Sequence, residues 1–460
     1  MIFTDAKFFV FFAIAFGVYW AITSNCWRKL WLLACSVVFY AAWDWRFLGL
    51  VLLVIVNTYA ATLLIAGTDE PVRRRHVLII GIVISLGVLA FFKYYNFFIE
   101  SLSHLVAIRM RIQDIVLPIG ISFYTFHSLS YIIDTYRGKI NPTRDFVDVA
   151  LYILFFPQLV AGPIVRAPDL LPQMRELRPF PGANLKLLLL LFLVGYFKKA
   201  VISDNFSSFV DTFYEAPDKF GAVDGLMAVF FYAVQIYCDF SGYTDMAIAT
   251  AGMLGYRLRP NFNHPYLAPN IAEFWRRWHM SLSSWLRDYL YIPLGGNQGG
   301  PIFQARNVMI TMLLGGLWHG ASWTFVLWGA LHGAGLLVWR FWRRFCSKGE
   351  SPRYSVAGNL LTFVFVCLGW MLFRASSFEN FSAVAQRLAI PVAPSLMPWP
   401  AALGLAAALT VVHVAFYRLD LESVTAGMSN VGFAIGYGIA VAVILPFVNV
   451  AVQPFIYFQF

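Results

Sequence analysis

Two histidines stand where chemistry is expected. His319 lies in LLGGLWHGASWTFVLWGALHG, with apolar sequence on both sides, at the point where a short apolar segment ends. His279 lies upstream in IAEFWRRWHMSLSSWLRDYLYIPLGGNQGG. An imidazole with an ordinary pKa near ~6.5, held in a water-restricted cavity, can accept a proton close to neutral pH. That suits a general base activating a hydroxyl for attack on a thioester or ester. A histidine that only hydrogen-bonds between helices fits the same placement. Gly315, Gly316 and Gly320 around His319 would let backbone or ligand come close. His332 and His413, single histidines in ordinary apolar stretches, fit the bridging role better, and His76 and His104 read as loop residues.

Other polar groups in apolar surroundings are Asp239, Ser241, Tyr243 and Asp245, in YCDFSGYTDMA. They suit a cation or proton site, or they cap a broken helix, since Asp and Ser readily satisfy free backbone N–H groups; capping is the favoured alternative. PQLVAGPIVR, with Arg166, reads as a similar interrupted helix. There is no P-loop, GxGxxG, HExxH or GxSxG pattern, which leaves nucleotide hydrolysis and serine-hydrolase chemistry without support. Five scattered cysteines (Cys26, Cys35, Cys238, Cys346, Cys367) show no CxxC spacing, so neither a disulfide framework nor a metal site is expected.

The elements that must hold these groups are set by composition. Of 460 residues, 60% are hydrophobic and only 13% charged, against about a quarter charged in soluble domains. Aromatic residues reach 18%, including 15 Trp and 22 Tyr, which favour membrane–water interfaces. Long unbroken apolar runs, rather than short alternating ones, indicate an all-α polytopic membrane protein and not a β-barrel. The net charge of +10 comes from short basic clusters between apolar runs, as orienting charges do, so no nucleic-acid partner is expected.

Apolar stretches lie near 8–22, 30–43, 47–66, 77–99, 114–135, 147–165, 184–203 and 222–238, then 307–318, 321–341, 355–373, 399–417 and 430–452. A span needs roughly 20 residues, which gives about eleven spans plus re-entrant pieces in one domain, 1–460. Residues 8–22 read as a retained first span rather than a cleaved signal. Arg28-Lys29, Arg73-Arg74-Arg75, Arg137 with Lys139, and Arg340 with Arg343-Arg344 mark cytoplasmic loops, whereas the acidic stretch 204–224 marks an exterior one. Trp275, Trp278, Leu282, Trp285 and Tyr289 recur every three or four residues beside Arg276, Arg277 and Arg287, which predicts a helix lying in the cytoplasmic interface, ended by the Asn297-Gln298-Gly299-Gly300 turn.

WRRWHMSLSSWLRDYLYIPLGGN followed by GGLWHGASWTFVLWGALHG resembles the signature pair of the membrane-bound O-acyltransferases. LPIGISFYTFHSLSYIIDTYRG, FFPQLVAGPIVR and YCDFSGYTDMAIATAGMLGYRLRPNFNHPY resemble the bacterial branch, which holds alginate O-acetylation and teichoic-acid D-alanyl transfer proteins. The likeness runs in order from about residue 1 to 450. It implies helices ringed around a central catalytic tunnel, with His319 as the catalytic histidine and His279 at the second motif position. It further implies a multi-pass protein of the bacterial inner membrane, with acetyl-CoA as donor at the cytoplasmic face and no bound cofactor. The implied partners are membrane lipid, a periplasmic SGNH-type acetyltransferase and a polysaccharide export complex. Arg276, Arg277 and Arg287 are candidates for drawing in the donor's phosphates, with lipid headgroups as the competing ligand; Trp318, Asn297 and Asp239 are further candidates for substrate contact. The alginate-type reading fits better than the D-alanyl one, while cellulose-like and peptidoglycan acceptors stay open. Outside acetyl transfer to a polymer, the rivals are acylation of lipid or protein, a transporter, and a scaffold subunit of a polymer-export complex.

Overall fold

Inside a bilayer, backbone amides must pair within their own segment, so long apolar runs this poor in charge are expected to be helices. A computed structural model of the chain describes residues 1–106, 111–159, 162–345, 355–389, 395–396, 398–449 and 455–456, and within them every regular element is helical. Cys346, residues 160–161 of PQLVAGPIVR and the end of the last apolar stretch lie outside the described residues.

Five helical stretches among the described residues are long and apolar enough to cross a membrane: Asn25–Ala66, Pro71–Val106, Ala222–Met253, Val356–Arg374 and Asn430–Phe447. Ala6–Ala21 and Trp399–Ala415 are shorter apolar helices. Asn25–Ala66 is itself two helices, of 20 and 19 residues, parted where Asp44 takes an extended backbone. At about 1.5 Å per residue, each of the two measures close to the thickness of a hydrocarbon core. The protein is thus an all-α polytopic membrane protein.

The chain divides into two compact units, Met1–Phe192 with Tyr243–Arg259, and Leu193–Gly242 with Pro260–Phe460. The first unit contains α1 (Ala6–Ala21), α2 (Asn25–Asp44), α3 (Leu48–Ala66), α4 (Pro71–Leu89), α5 (Ile121–Tyr136) and α6 (Phe146–Leu154). Small polar residues join α3, α4 and α5: Thr58 and Ser128 hydroxyls meet at 2.6 Å, Ser85 and Ser128 at 3.1 Å, and Asn57 donates to the Gly81 carbonyl at 2.9 Å. Such bonds hold membrane helices together where apolar burial gives no preference over lipid. The basic cluster expected in a loop is in the first turn of α2, and it is buried: Lys29 pairs with Asp145 and with Asp148 at 2.6 Å, and Arg28 donates to the Ile22 and Arg178 carbonyls. His76 and His104 are helical, not loop residues as expected. Pro71 at the first position starts α4 ahead of the apolar run, because its fixed φ suits a helix start.

In the second unit, α7 (Asp204–Glu215) occupies half of the stretch expected as an acidic loop. Helix α8 (Ala222–Met253) runs unbroken through Asp239, so the broken helix expected there is absent. Lys199 pairs with the Asp239 carboxylate at 2.6 Å and with that of Asp204 at 2.7 Å, and Asp239 accepts a backbone N–H from Ile456 rather than from its own helix. The aromatic stretch expected as one interfacial helix is two short ones, α9 (Ile271–Arg277) and α10 (Met280–Leu286), parted at Trp278-His279. Its aromatic face is buried in protein, with Trp278, Leu282, Trp285 and Tyr289 all under a tenth exposed. Further helices of the unit include α11 (Gly300–His319), α12 (Trp323–Phe345), α13 (Val356–Arg374), α14 (Trp399–Arg418) and α15 (Asn430–Ile444).

Helices α11 and α12 form an antiparallel hairpin whose backbones nearly touch. A Cβ at Gly316 would overlap the Phe325 carbonyl, and one at Gly329 would overlap the Met312 carbonyl. Gly329→Val is therefore expected to destabilise the protein by about 1–3 kcal/mol or more, through forced separation of the pair. The check is the thermal midpoint of detergent-solubilised protein by gel filtration; an unchanged midpoint contradicts the tight crossing.

Candidate active site

His319 is the last residue of α11, which stops there because Gly320 is extended (φ −161, ψ 151). The apolar segment expected over 307–318 is the second half of this 20-residue helix, and its expected end at His319 is where the helix stops. The imidazole is 2% exposed, and aromatic rings enclose it: Trp318 at 5.0 Å, Trp328 of α12 at 5.0 Å and Phe373 of α13 at 5.2 Å, all edge-to-face. Three helices thus fix the orientation of one ring.

His279 reaches the same place from the break between α9 and α10. Its ring is 6.4 Å from that of His319 and 5.9 Å from that of Trp318. Phe240 of α8 holds it edge-on at 4.6 Å and 88°. The backbone of His279 is left-handed (φ 43), a costly conformation for a residue with a Cβ. Among the described residues, His264 (φ 47) is the only other non-glycine with positive φ. Strain of this kind persists where surrounding contacts over-determine it, as at active sites. Two buried histidines enclosed by aromatic rings are groups of a type that can exchange protons with a hydroxyl.

The other expected site residues divide. Trp318 is 4% exposed and is one of these rings. Arg276 and Arg277 both bind Glu273, at 3.0 and 2.9 Å, and Arg287 binds its neighbour Asp288 at 2.7 Å. Burial pushes the Glu273 carboxyl up, but hydrogen bonds from Arg277 and Arg276 outweigh it and hold the group below the usual glutamate range. Asn297 is exposed in its turn, where it accepts from Tyr291 at 2.7 Å. Asp239 belongs to the buried Lys199 cluster rather than to the histidine pair. His332 is buried against Trp275 and Trp328, one ring removed from His319.

Sequence reasoning did not single out Trp328, Phe373 or Phe240, whose ring types are too common in this chain to signal a site. Lys199 carried a usable signal, a cation inside an apolar stretch. Asn261 carried one too, as a polar residue in the quoted RPNFNHPY segment.

Residues 140–381, which include both histidines, match the family model described as MBOAT, membrane-bound O-acyltransferase family. The chain belongs to this family and is a multi-pass membrane enzyme of acyl transfer. Its curated relatives include a protein named probable alginate O-acetylase from Azotobacter vinelandii, 42% identical over 82% of this chain and 76% of the relative. The peptidoglycan O-acetyltransferase of Helicobacter pylori is 37% identical over 76% of this chain and 72% of its own length. The teichoic acid D-alanyltransferase of Bacillus subtilis is 25% identical over 58% of this chain and 71% of its own length.

Proposed function

We propose that this protein is an O-acetyltransferase that takes an acetyl group from a cytoplasmic thioester donor, acetyl-CoA, and delivers it for O-acetylation of an exopolysaccharide of alginate or cellulose type. The whole chain 1–460 acts as one transmembrane domain in a bacterial inner membrane. The observation that carries the reading is the buried His319 among aromatic rings with a second histidine 6.4 Å away, in a chain 42% identical over 82% of its length to a protein named probable alginate O-acetylase. His319 removes the proton of an acceptor hydroxyl as its oxygen attacks the acetyl carbonyl. The C–S bond then breaks, and the thiolate leaves as thiol with the proton that His319 returns. His279 orients the reacting groups and assists that proton transfer. The recipient hydroxyl belongs to a periplasmic SGNH-type partner of a polysaccharide export complex.

The test is transfer of labelled acetyl from acetyl-CoA, added on the cytoplasmic side of membrane vesicles, to polymer on the other side in the presence of the partner. Label in the polymer supports the reading; donor left intact with partner and polymer present overturns it.

The arginines make a smaller contribution. Arg276, with its side chain 71% exposed, would hold a phosphate only through a solvent-screened surface ion pair, worth about 0–1 kcal/mol. Arg276→Gln is expected to leave the KM for acetyl-CoA within about twofold; a tenfold rise would restore it as a donor contact.

A further inference from the structure

The segment holding His279 in its left-handed conformation identifies a residue with no assigned role. Two backbone hydrogen bonds tie residues 261–263 to the break between α9 and α10: Met280 N–H donates to the Asn261 carbonyl at 2.9 Å, and Asn263 N–H to the Arg277 carbonyl at 2.9 Å. They bracket Trp278 and His279 and impose the turn. Within the bracket the Asn261 side chain, in a residue only 1% exposed, faces three groups: the Ser281 backbone N–H at 3.1 Å, the Ser281 hydroxyl at 2.9 Å and Nδ1 of His279 at 3.2 Å.

The backbone N–H decides the chemistry. It can only donate, so the Asn261 atom facing it is the amide oxygen, and an amide oxygen can only accept. The imidazole nitrogen pointing at that oxygen must therefore carry a proton. In the neutral ring, Nε2 on the far side is then the lone-pair nitrogen.

We infer that Asn261 is a positioning residue of the acyl transfer, holding His279 with its proton on Nδ1 and presenting Nε2 as a hydrogen-bond acceptor. His279 in this form receives a hydroxyl proton or orients an O–H, and cannot donate to a developing oxyanion from Nε2. This rests on the reading that His279 acts beside His319, and it divides their work: both act on the acceptor hydroxyl, one as base and one as orienting acceptor. Among the described residues, His319 from α11 is a titratable group that faces His279, α8 faces it with Phe240, and the start of α10 with Ser281.

The test compares Asn261→Ala, Asn261→Asp and His279→Ala in membranes at matched abundance, measuring acetyl transfer against pH and donor concentration. Asn261→Ala is expected to lower kcat about 30–100-fold with KM for acetyl-CoA unchanged. Asn261→Asp keeps the accepting oxygen and adds a charge that favours imidazolium, so it should restore most of the rate above neutral pH. It should also move the acid limb of the profile up by about one unit. Activity of Asn261→Ala within threefold of wild type, with His279→Ala inactive, overturns this inference alone. Wild-type activity in His279→Ala overturns the role of His279 and the inference with it. If Asn261→Ala does not accumulate, Asn261→Asp decides: an unshifted acid limb overturns the proposal, and a shifted one supports it.

Discussion

In cells carrying His319→Ala at wild-type membrane abundance, polymer-linked acetyl ester is expected to fall to background, with the rate reduced about 10²–10⁴-fold. The size follows from the burial of the ring. His319 is 2% exposed and enclosed by Trp318, Trp328 and Phe373, so water has poor access to replace the missing base. Removing the ring leaves those three aromatic walls in place, so the expected loss is chemical rather than structural. Alkaline hydrolysis of the isolated polymer, followed by acetate assay, measures it. Retained ester would transfer weight to a scaffold role or to another catalytic group.

Lys199→Met is expected to be nearly as damaging, by a different route. Lys199 is 1% exposed and is the cation that holds Asp204 and Asp239, both about 2% exposed, in apolar surroundings. Without it two buried carboxylates face each other uncompensated, and breaking such a cluster costs about 3–5 kcal/mol. That is a large fraction of the stability of an ordinary domain. Membrane abundance and thermal midpoint should both drop. Adding Asp204→Asn and Asp239→Asn to Lys199→Met should recover part of the loss, since neutral amides can be buried with hydrogen bonds alone. A fully stable Lys199→Met single variant would contradict the buried-cluster account. Asp239 adjoins Phe240, which grips His279, so the same variant is also expected to lower the activity of whatever protein remains.

Much of the site was legible in the chain because its signals are local. His319 stands beside glycines at the end of an apolar run, and α11 does end there. The hidden part depends on pairings distant in sequence. Asp239 read as a helix cap because its partner Lys199 lies on another element, and no spacing rule connects them. The aromatic stretch 275–289 read as one amphipathic helix because its ring periodicity is helical throughout. The break at His279 is imposed by residues 261–263, and the same face is buried rather than interfacial because other helices of its unit cover it. Hydropathy cannot tell lipid from protein as the apolar neighbour, since both satisfy the same side chains.

The amino-acid sequence by itself determined that this is a helical membrane protein, which family motifs it carries and which histidine stands at the end of an apolar run. Those properties follow from composition and from neighbours a few residues apart, where backbone pairing within a segment is obligatory. Only the tertiary structure decided that His279 comes within 6.4 Å of His319, that its Nδ1 meets the Asn261 amide oxygen at 3.2 Å, and that Asp239 is bound by Lys199. These are contacts between separate elements, selected by the close packing of rings and charges in a dry interior, where a group without the right partner is too costly to keep.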